Sequence, residues 1–253
     1  MSSAPILIES PKDATVRLDP AEWLAPLPLS AFHNLKRDLA LEYRLLRNLT
    51  ENEEMITRQC SDKIFANLNR YRDIQPFETN RVLLGRHKGY INASHMAHMI
   101  GGSRFIASQG PLQHTIGDHW QMIWEQKTDA IFALGKLAEG PVEKCALYWP
   151  TSGSAEFTSR DGQVFVVTLL GTQVDLIGGE LERREIRLSR KNDVQTVRNI
   201  LHYHFTGWPD HQAVESSKLV QLVALVTEKR ECTLVHCSAG VGRTGCVLTL
   251  ASL

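Results

Sequence analysis

The spacing of hydrophobic residues divides the chain into regions of different character. The first 29 residues, MSSAPILIESPKDATVRLDPAEWLAPLPL, hold five of the ten prolines. Proline withholds a backbone donor and resists helix, so residues 1–29 are expected to form an extended or disordered arm. From Ser30 the pattern becomes helical. Phe32, Leu35, Leu39, Tyr43 and Leu46 recur mostly three or four apart, with Ser30 placed to cap. One amphipathic helix is predicted, packed onto the domain. Its LKRDLAL run sets two basic residues before spaced leucines, as a kinase-docking peptide does. Residues that pack a helix make poor docking anchors, so the plain helix is preferred.

Beyond about Leu68 the chain reads as short strands and turns. RVLLG and GYINASHM read as strands, followed by RFIASQGP. TIGDHWQMIWEQK reads as a helix opening on Thr115, DAIFALGKL as a buried strand and CALYWP as another. QVFVVTLLGTQVDL and LERREIRLSR fit consecutive strands by alternation and β-branched content, and VRNILHYHF adds one more. ESSKLVQLVALVTEKR is helical, CTLVHC is a fully buried strand, and RTGCVLTLASL starts a helix. The predicted fold class is α/β (α+β): one domain over residues 30–253, with a highly twisted mixed sheet flanked by helices.

Composition narrows the chemistry. The 253 residues carry 28 acidic and 28 basic side chains, a balance that argues against a nucleic-acid partner, whose binding rests on neutralised phosphates. No run of about 18 apolar residues suggests a membrane span, and the N-terminus lacks the pattern of a signal peptide. The five cysteines (Cys60, Cys145, Cys232, Cys237, Cys246) are odd in number and show no Cys-x-x-Cys spacing. Reduced thiols in a cytoplasmic protein are expected.

The sharpest feature is VHCSAGVGRTG, residues 235–245. A buried strand ends at Cys237, a loop of small residues follows, and a helix begins near Arg243. Backbone N–H groups of Ser238, Ala239, Gly240, Val241 and Gly242, above a helix N-terminus, can cradle a tetrahedral anion. Gly240 and Gly242 let the loop close tightly, and the same field favours the thiolate of Cys237. Arg243 offers a planar fork for two phosphate oxygens. Thr244 is expected to set its hydroxyl beside the sulfur. A nucleotide P-loop needs G-x-x-x-x-G-K-[ST], which is absent. His236 and Cys237 lack further ligands at the spacing of a metal site.

With HCSAGVGRTG in view, the chain resembles the protein tyrosine phosphatase family, in its phosphotyrosine-specific, non-receptor branch. The likeness runs in register from about Asn67 to the C-terminus through several separate motifs. In NRYRDIQPF it implies that Tyr71 stacks on the substrate ring and sets pocket depth, while Asp73 bonds the peptide backbone. In GYINAS it implies that Asn92 braces the loop carrying Cys237, with Gly89 where the family has aspartate. In GKLAEGPVEKCALYWP it implies that Glu139 holds Arg243 and that Lys144 approaches the acid-bearing loop. In GWPDH it makes Asp210 the general acid and sets His211 beside the phenyl ring. His236 takes a supporting role.

The chemistry so implied is attack by Cys237 on phosphotyrosine, a cysteinyl-phosphate intermediate, and hydrolysis with Asp210 as base. Neither cofactor nor metal is called for. The implied partners are phosphotyrosine-containing proteins in signal transduction, kinases among the candidates, with no nucleic acid and no membrane. A dual-specificity or lipid phosphatase is disfavoured by the NRYRD loop.

The family domain continues past the position of Leu253 into a loop whose glutamines position the hydrolytic water. The catalytic domain is therefore expected to be incomplete at its C-terminus. Val247, Leu248, Leu250 and Leu253 are then expected to lack packing partners. The alternative function is a phosphotyrosine-binding or substrate-trapping module with little turnover.

Overall fold

The computed structural model describes residues 63–87, 89–96, 104–209, 212–228 and 230–252. The proline-rich arm, the helix predicted from Ser30 and its LKRDLAL run lie outside the described residues. So do Cys60, Asp210, His211 and Leu253.

A twisted nine-stranded sheet is assembled from β1 (Arg81–Leu84), β2 (Gly89–Met96), β3 (Arg104–Ser108), β4 (Ala130–Leu134), β7 (Ser154–Thr158), β8 (Val164–Leu176), β9 (Leu181–Arg190), β10 (Asp193–Phe205) and β11 (Cys232–His236). Their order is β1-β2-β3-β11-β4-β10-β9-β8-β7. The central strands β3, β11, β4 and β10 run parallel, and antiparallel strands extend the sheet on both sides. A separate two-stranded hairpin joins β5 (Ala138–Glu139) to β6 (Val142–Glu143).

Central parallel strands are covered on both faces and so read as continuous apolar runs. β11 is buried at every position, CTLVH. Its side chains alternate between two cores: Cys232 and Leu234 join the cluster that includes helix α1 (Ile116–Glu125), while Val235 and Cys237 join the other. That second core is covered by α2 (Ser216–Val226) and α3 (Gly242–Ala251).

The strand predicted at CALYWP does not form. Ala146 N–H bonds the carbonyl of Pro111 and Cys145 N–H that of Leu137, both in loops, so the segment is buried like a strand without joining the ladder. β7 and the β5–β6 hairpin were not predicted, since their residues are largely exposed and carry little apolar patterning. Thr115 does stand at the start of α1. Its hydroxyl, however, accepts from the Leu112 N–H behind it rather than capping the helix ahead.

The unpartnered apolar surface expected on the last helix is also corrected. Val247 and Leu248 are 0% and 1% exposed, because α2 packs alongside and supplies Leu222 and Val226. Leu250 alone of the described set is exposed. No helix among the described residues is long and apolar enough to cross a membrane.

Candidate active site

The parallel strands β11, β4 and β10 point their C-terminal ends toward one place, the usual location of sites on open α/β sheets. β11 delivers Cys237, β4 ends beside Gly135, and β10 leads to Trp208. There a cavity of about 440 Å³ is lined below by Cys237, Ser238, Ala239, Gly242 and Arg243, and above by Tyr71, Asp73, Ile74, Lys144, Trp208 and Gln212. The widely separated motifs therefore converge.

Cys237 is 6% exposed, and its Sγ accepts the Gly240 N–H at 3.3 Å. Gly240 has φ +79°, and a Cβ there would come within 2.5 Å of the Ser108 carbonyl. Only glycine allows this closeness together with this backbone angle. Gly242 needs no such allowance: a Cβ at that position would meet open space, and the residue simply begins α3. The tightness expected of both glycines belongs to Gly240.

Arg243 is 7% exposed and enters the cavity from the first turn of α3. Its Nη1 donates to the Leu134 carbonyl at 3.2 Å and its Nη2 to Glu139 Oε1 at 3.0 Å. The β5–β6 hairpin thus places Glu139 beside the Arg243 guanidinium. Gly135, with φ +104°, leaves the space the guanidinium occupies, since a Cβ there would overlap Nη1. Thr244 is fully buried, and its Oγ1 has no hydrogen-bond partner among the described residues. The hydrogen bond that reaches the sulfur comes from the Gly240 amide.

Tyr71 is half-buried, and its hydroxyl lies 3.0 Å from Ser238 Oγ. Asn92 does not brace the Cys237 loop as expected. Its side-chain amide donates to Asn69 Oδ1 and to the Ile74 carbonyl, both at 2.8 Å. It therefore fixes the segment that carries Tyr71. Asn69 Oδ1 also accepts the Tyr90 hydroxyl at 2.6 Å. Lys144 lines the cavity, as do Trp208 and Gln212. Trp208 Nε1 donates to the Gln212 carbonyl at 2.9 Å.

A buried polar cluster lies behind the loop that begins at Cys237. Tyr148 Oη sits 2.7 Å from His236 Nε2 and 2.9 Å from His202 Nε2, while His119 packs edge-on against Tyr148 and His236. His236 Nδ1 lies 3.3 Å from the Cys237 carbonyl, which can only accept, so Nδ1 carries the proton in that bond. Tyr148 then donates to His236 Nε2 and accepts from His202 Nε2–H. Burial pushes His236 down to about 4, the backbone bond to Cys237 partly opposing. His119 and His202 are held well below the usual histidine range, mainly by burial. Burial likewise pushes the Cys145 thiol up to about 12, against the nearby Arg70 charge. Sequence reasoning missed Tyr148 and His202; they sit in apolar runs that advertise only core packing.

Among the described residues no group of three or more His, Cys, Asp or Glu side chains could hold a metal ion. What the cavity offers is one sulfur with a loop amide upon it and a guanidinium, a set suited to a tetrahedral oxyanion.

Comparison with known proteins agrees. A family model described as protein-tyrosine phosphatase matches residues 66–253. The mouse tyrosine-protein phosphatase non-receptor type 13 is 37% identical over 189 residues, covering 72% of this chain and 7% of its own. Mouse receptor-type tyrosine-protein phosphatase epsilon is 32% identical over 247 residues, covering 91% of this chain and 34% of its own. Human tyrosine-protein phosphatase non-receptor type 7 is 36% identical over 196 residues, covering 72% of this chain and 51% of its own. The chain belongs to the protein-tyrosine phosphatase family. It spans at most about half the length of these relatives.

Proposed function

We propose that this protein hydrolyses phosphotyrosine in proteins, with Cys237 as nucleophile. The observation that carries the reading is the Cys237 sulfur on the cavity floor, hydrogen-bonded by a loop amide and flanked by Arg243. In the first step the thiolate attacks phosphorus, an S–P bond forms, and the P–O bond to the ring breaks. Asp210 gives its proton to the departing phenolate, worth about 10²–10⁴ in rate. Arg243 and the amides of Ser238, Ala239, Gly240, Val241 and Gly242 stabilise the equatorial oxygens. Asp210 then takes a proton from water, water attacks phosphorus, and the S–P bond breaks to release phosphate and the thiolate.

Glu139 keeps the Arg243 fork in register. Tyr71 and His211 flank the phenyl ring, Asp73 receives the peptide backbone, and Lys144 faces the segment bearing Asp210. His236 supports the loop through the Cys237 carbonyl. Thr244, with its hydroxyl unbonded in this state, is available to the sulfur as it leaves phosphorus. The catalytic domain is taken to run from residue 30. A reducing compartment such as the cytoplasm suits a mechanism built on a free thiol, and the substrates are phosphotyrosine proteins of signalling pathways.

The test is turnover of p-nitrophenyl phosphate and a phosphotyrosine peptide. Vanadate-sensitive release is expected from the native protein and none from Cys237→Ser. Asp210→Ala is expected to retain phosphotyrosine proteins without releasing phosphate. Activity surviving in Cys237→Ser would remove the nucleophile assignment. A burst of one equivalent with no further release would leave phosphoryl transfer and remove hydrolysis.

A further inference from the structure

We propose that Arg70 is a positioning residue of the phosphate site, a buried guanidinium that ties the Tyr71 segment, the floor loop and the Glu139 hairpin into one frame. The proposal rests on the reading of Cys237 and Arg243 as nucleophile and clamp.

Arg70 directly precedes Tyr71, and its side chain is only 8% exposed. Its Nε donates to the Gly110 carbonyl at 3.3 Å, Nη2 to the Pro111 carbonyl at 2.8 Å, and Nη1 to the Glu143 carbonyl at 2.9 Å. Nη2 also faces Glu143 Oε1 at 3.4 Å. The backbone N–H of Arg70 is taken by Gln109 Oε1 at 2.9 Å. Three main-chain carbonyls from two segments are thus met by one planar fork. A lysine offers its three donors from a single point and cannot span that set.

Each acceptor leads on to the floor. The Gly110 peptide is held by Arg70 on its carbonyl side, while its own N–H donates to the Ser238 carbonyl at 3.0 Å. Glu143 pairs with Ala138 in the β5–β6 ladder, one step from Glu139, whose carboxylate holds Arg243 Nη2. Tyr71, next in the chain, touches Ser238 Oγ. Ser238 is therefore reached from two sides and Arg243 from one, all through Arg70. An exposed arginine with one carboxylate partner would contribute little. Arg70 instead bonds the Gly110 carbonyl and adds a second donor to the Pro111 carbonyl, which also accepts the Ala146 N–H.

The experiment compares Arg70→Lys and Arg70→Met with the native protein, reading kcat and KM on a phosphotyrosine peptide, vanadate inhibition and the melting temperature. A displacement of about 1 Å at a catalytic group can cost about 10²-fold in rate. A positioning role predicts that folded Arg70→Lys loses about 10- to 100-fold in kcat and binds vanadate about 10-fold more weakly. Its combination with Glu139→Gln should fall short of the product of the two separate losses, because both act on Arg243. Glu143→Ala removes the exposed carboxylate that meets Arg70 Nη2 and Gln113 Nε2, and keeps the proposal testable if Arg70→Lys fails to fold. It should weaken vanadate binding about two- to fivefold. Native kcat and vanadate inhibition in the folded fraction of Arg70→Lys, or in Glu143→Ala, would overturn the proposal. If Cys237→Ser is inactive while Arg70→Lys is native-like, only the role of Arg70 falls.

Discussion

The floor and the rim of the cavity are built by different means. On the floor, Cys237, Arg243 and His236 are 6%, 7% and 2% exposed and issue from the ends of buried strands and the first turn of a helix. On the rim, Tyr71 and Lys144 are half-buried, Asp73 is exposed, and all three stand on loops. The floor is determined many times over by backbone bonds and close packing, whereas the rim depends on a few side-chain contacts. Changes on the floor should therefore damage the chemistry, and changes on the rim should shift preference.

The sharpest way to break this contrast is Gly135→Ala. A Cβ there would overlap Arg243 Nη1, and the backbone angle of +104° disfavours any side chain. Displacing Arg243 should cost about 10²–10³ in kcat/KM, the scale of losing a donor to a developing oxyanion. Steady-state kinetics and vanadate inhibition measure it, and native values would show the floor to be softer than described.

Acid should come next. His119, His202 and His236 are buried and neutral, with pKa values held below the ordinary 6.5. Below about pH 6.5 the unfolded chain takes up protons that the folded cluster refuses, so stability falls as pH falls. The loss runs at up to about 1.4 kcal/mol per pH unit for each histidine. It continues for His236 until the folded group itself titrates near 4. Urea midpoints between pH 7 and 5 would check this; a flat profile would contradict the neutral cluster.

On the rim, Tyr71→Phe keeps the ring and removes the bond to Ser238. About 0.5–1.5 kcal/mol should be lost, seen mainly as a raised KM with kcat retained. The smallest effect is expected far away on β8, where Leu170 is 46% exposed. Leu170→Ser should change stability by no more than about 0.5 kcal/mol and leave kinetics untouched.

The same division governs what can be read from sequence. The floor is legible because its residues are contiguous: HCSAGVGRTG places Cys237, the loop amides and Arg243 within ten residues. The central strands are legible because burial on both faces leaves unbroken apolar runs, as in CTLVH. CALYWP misleads for the same reason, being a run of equal burial whose backbone bonds go to loops. The bonds of Asn92 are not legible because its partners, Asn69 and Ile74, lie 23 and 18 residues away, and no local pattern encodes that pairing. Tyr148 and Arg70 act through contacts 88 and 73 residues distant, visible only once the chain is folded.

The 3.0 Å contact between Tyr71 and Ser238 has one more consequence. In any assembled mechanism, small errors along a series of parts add up at the far end. A gauge at the tip of a loop should inherit the slack of the whole loop. Here the gauge is clipped to its own datum, because the Tyr71 hydroxyl bears on the residue next to Cys237. On the proposed reading of Tyr71, pocket depth is referred directly to Ser238, and not only through the bonds that Arg70 and Asn92 make to the loop.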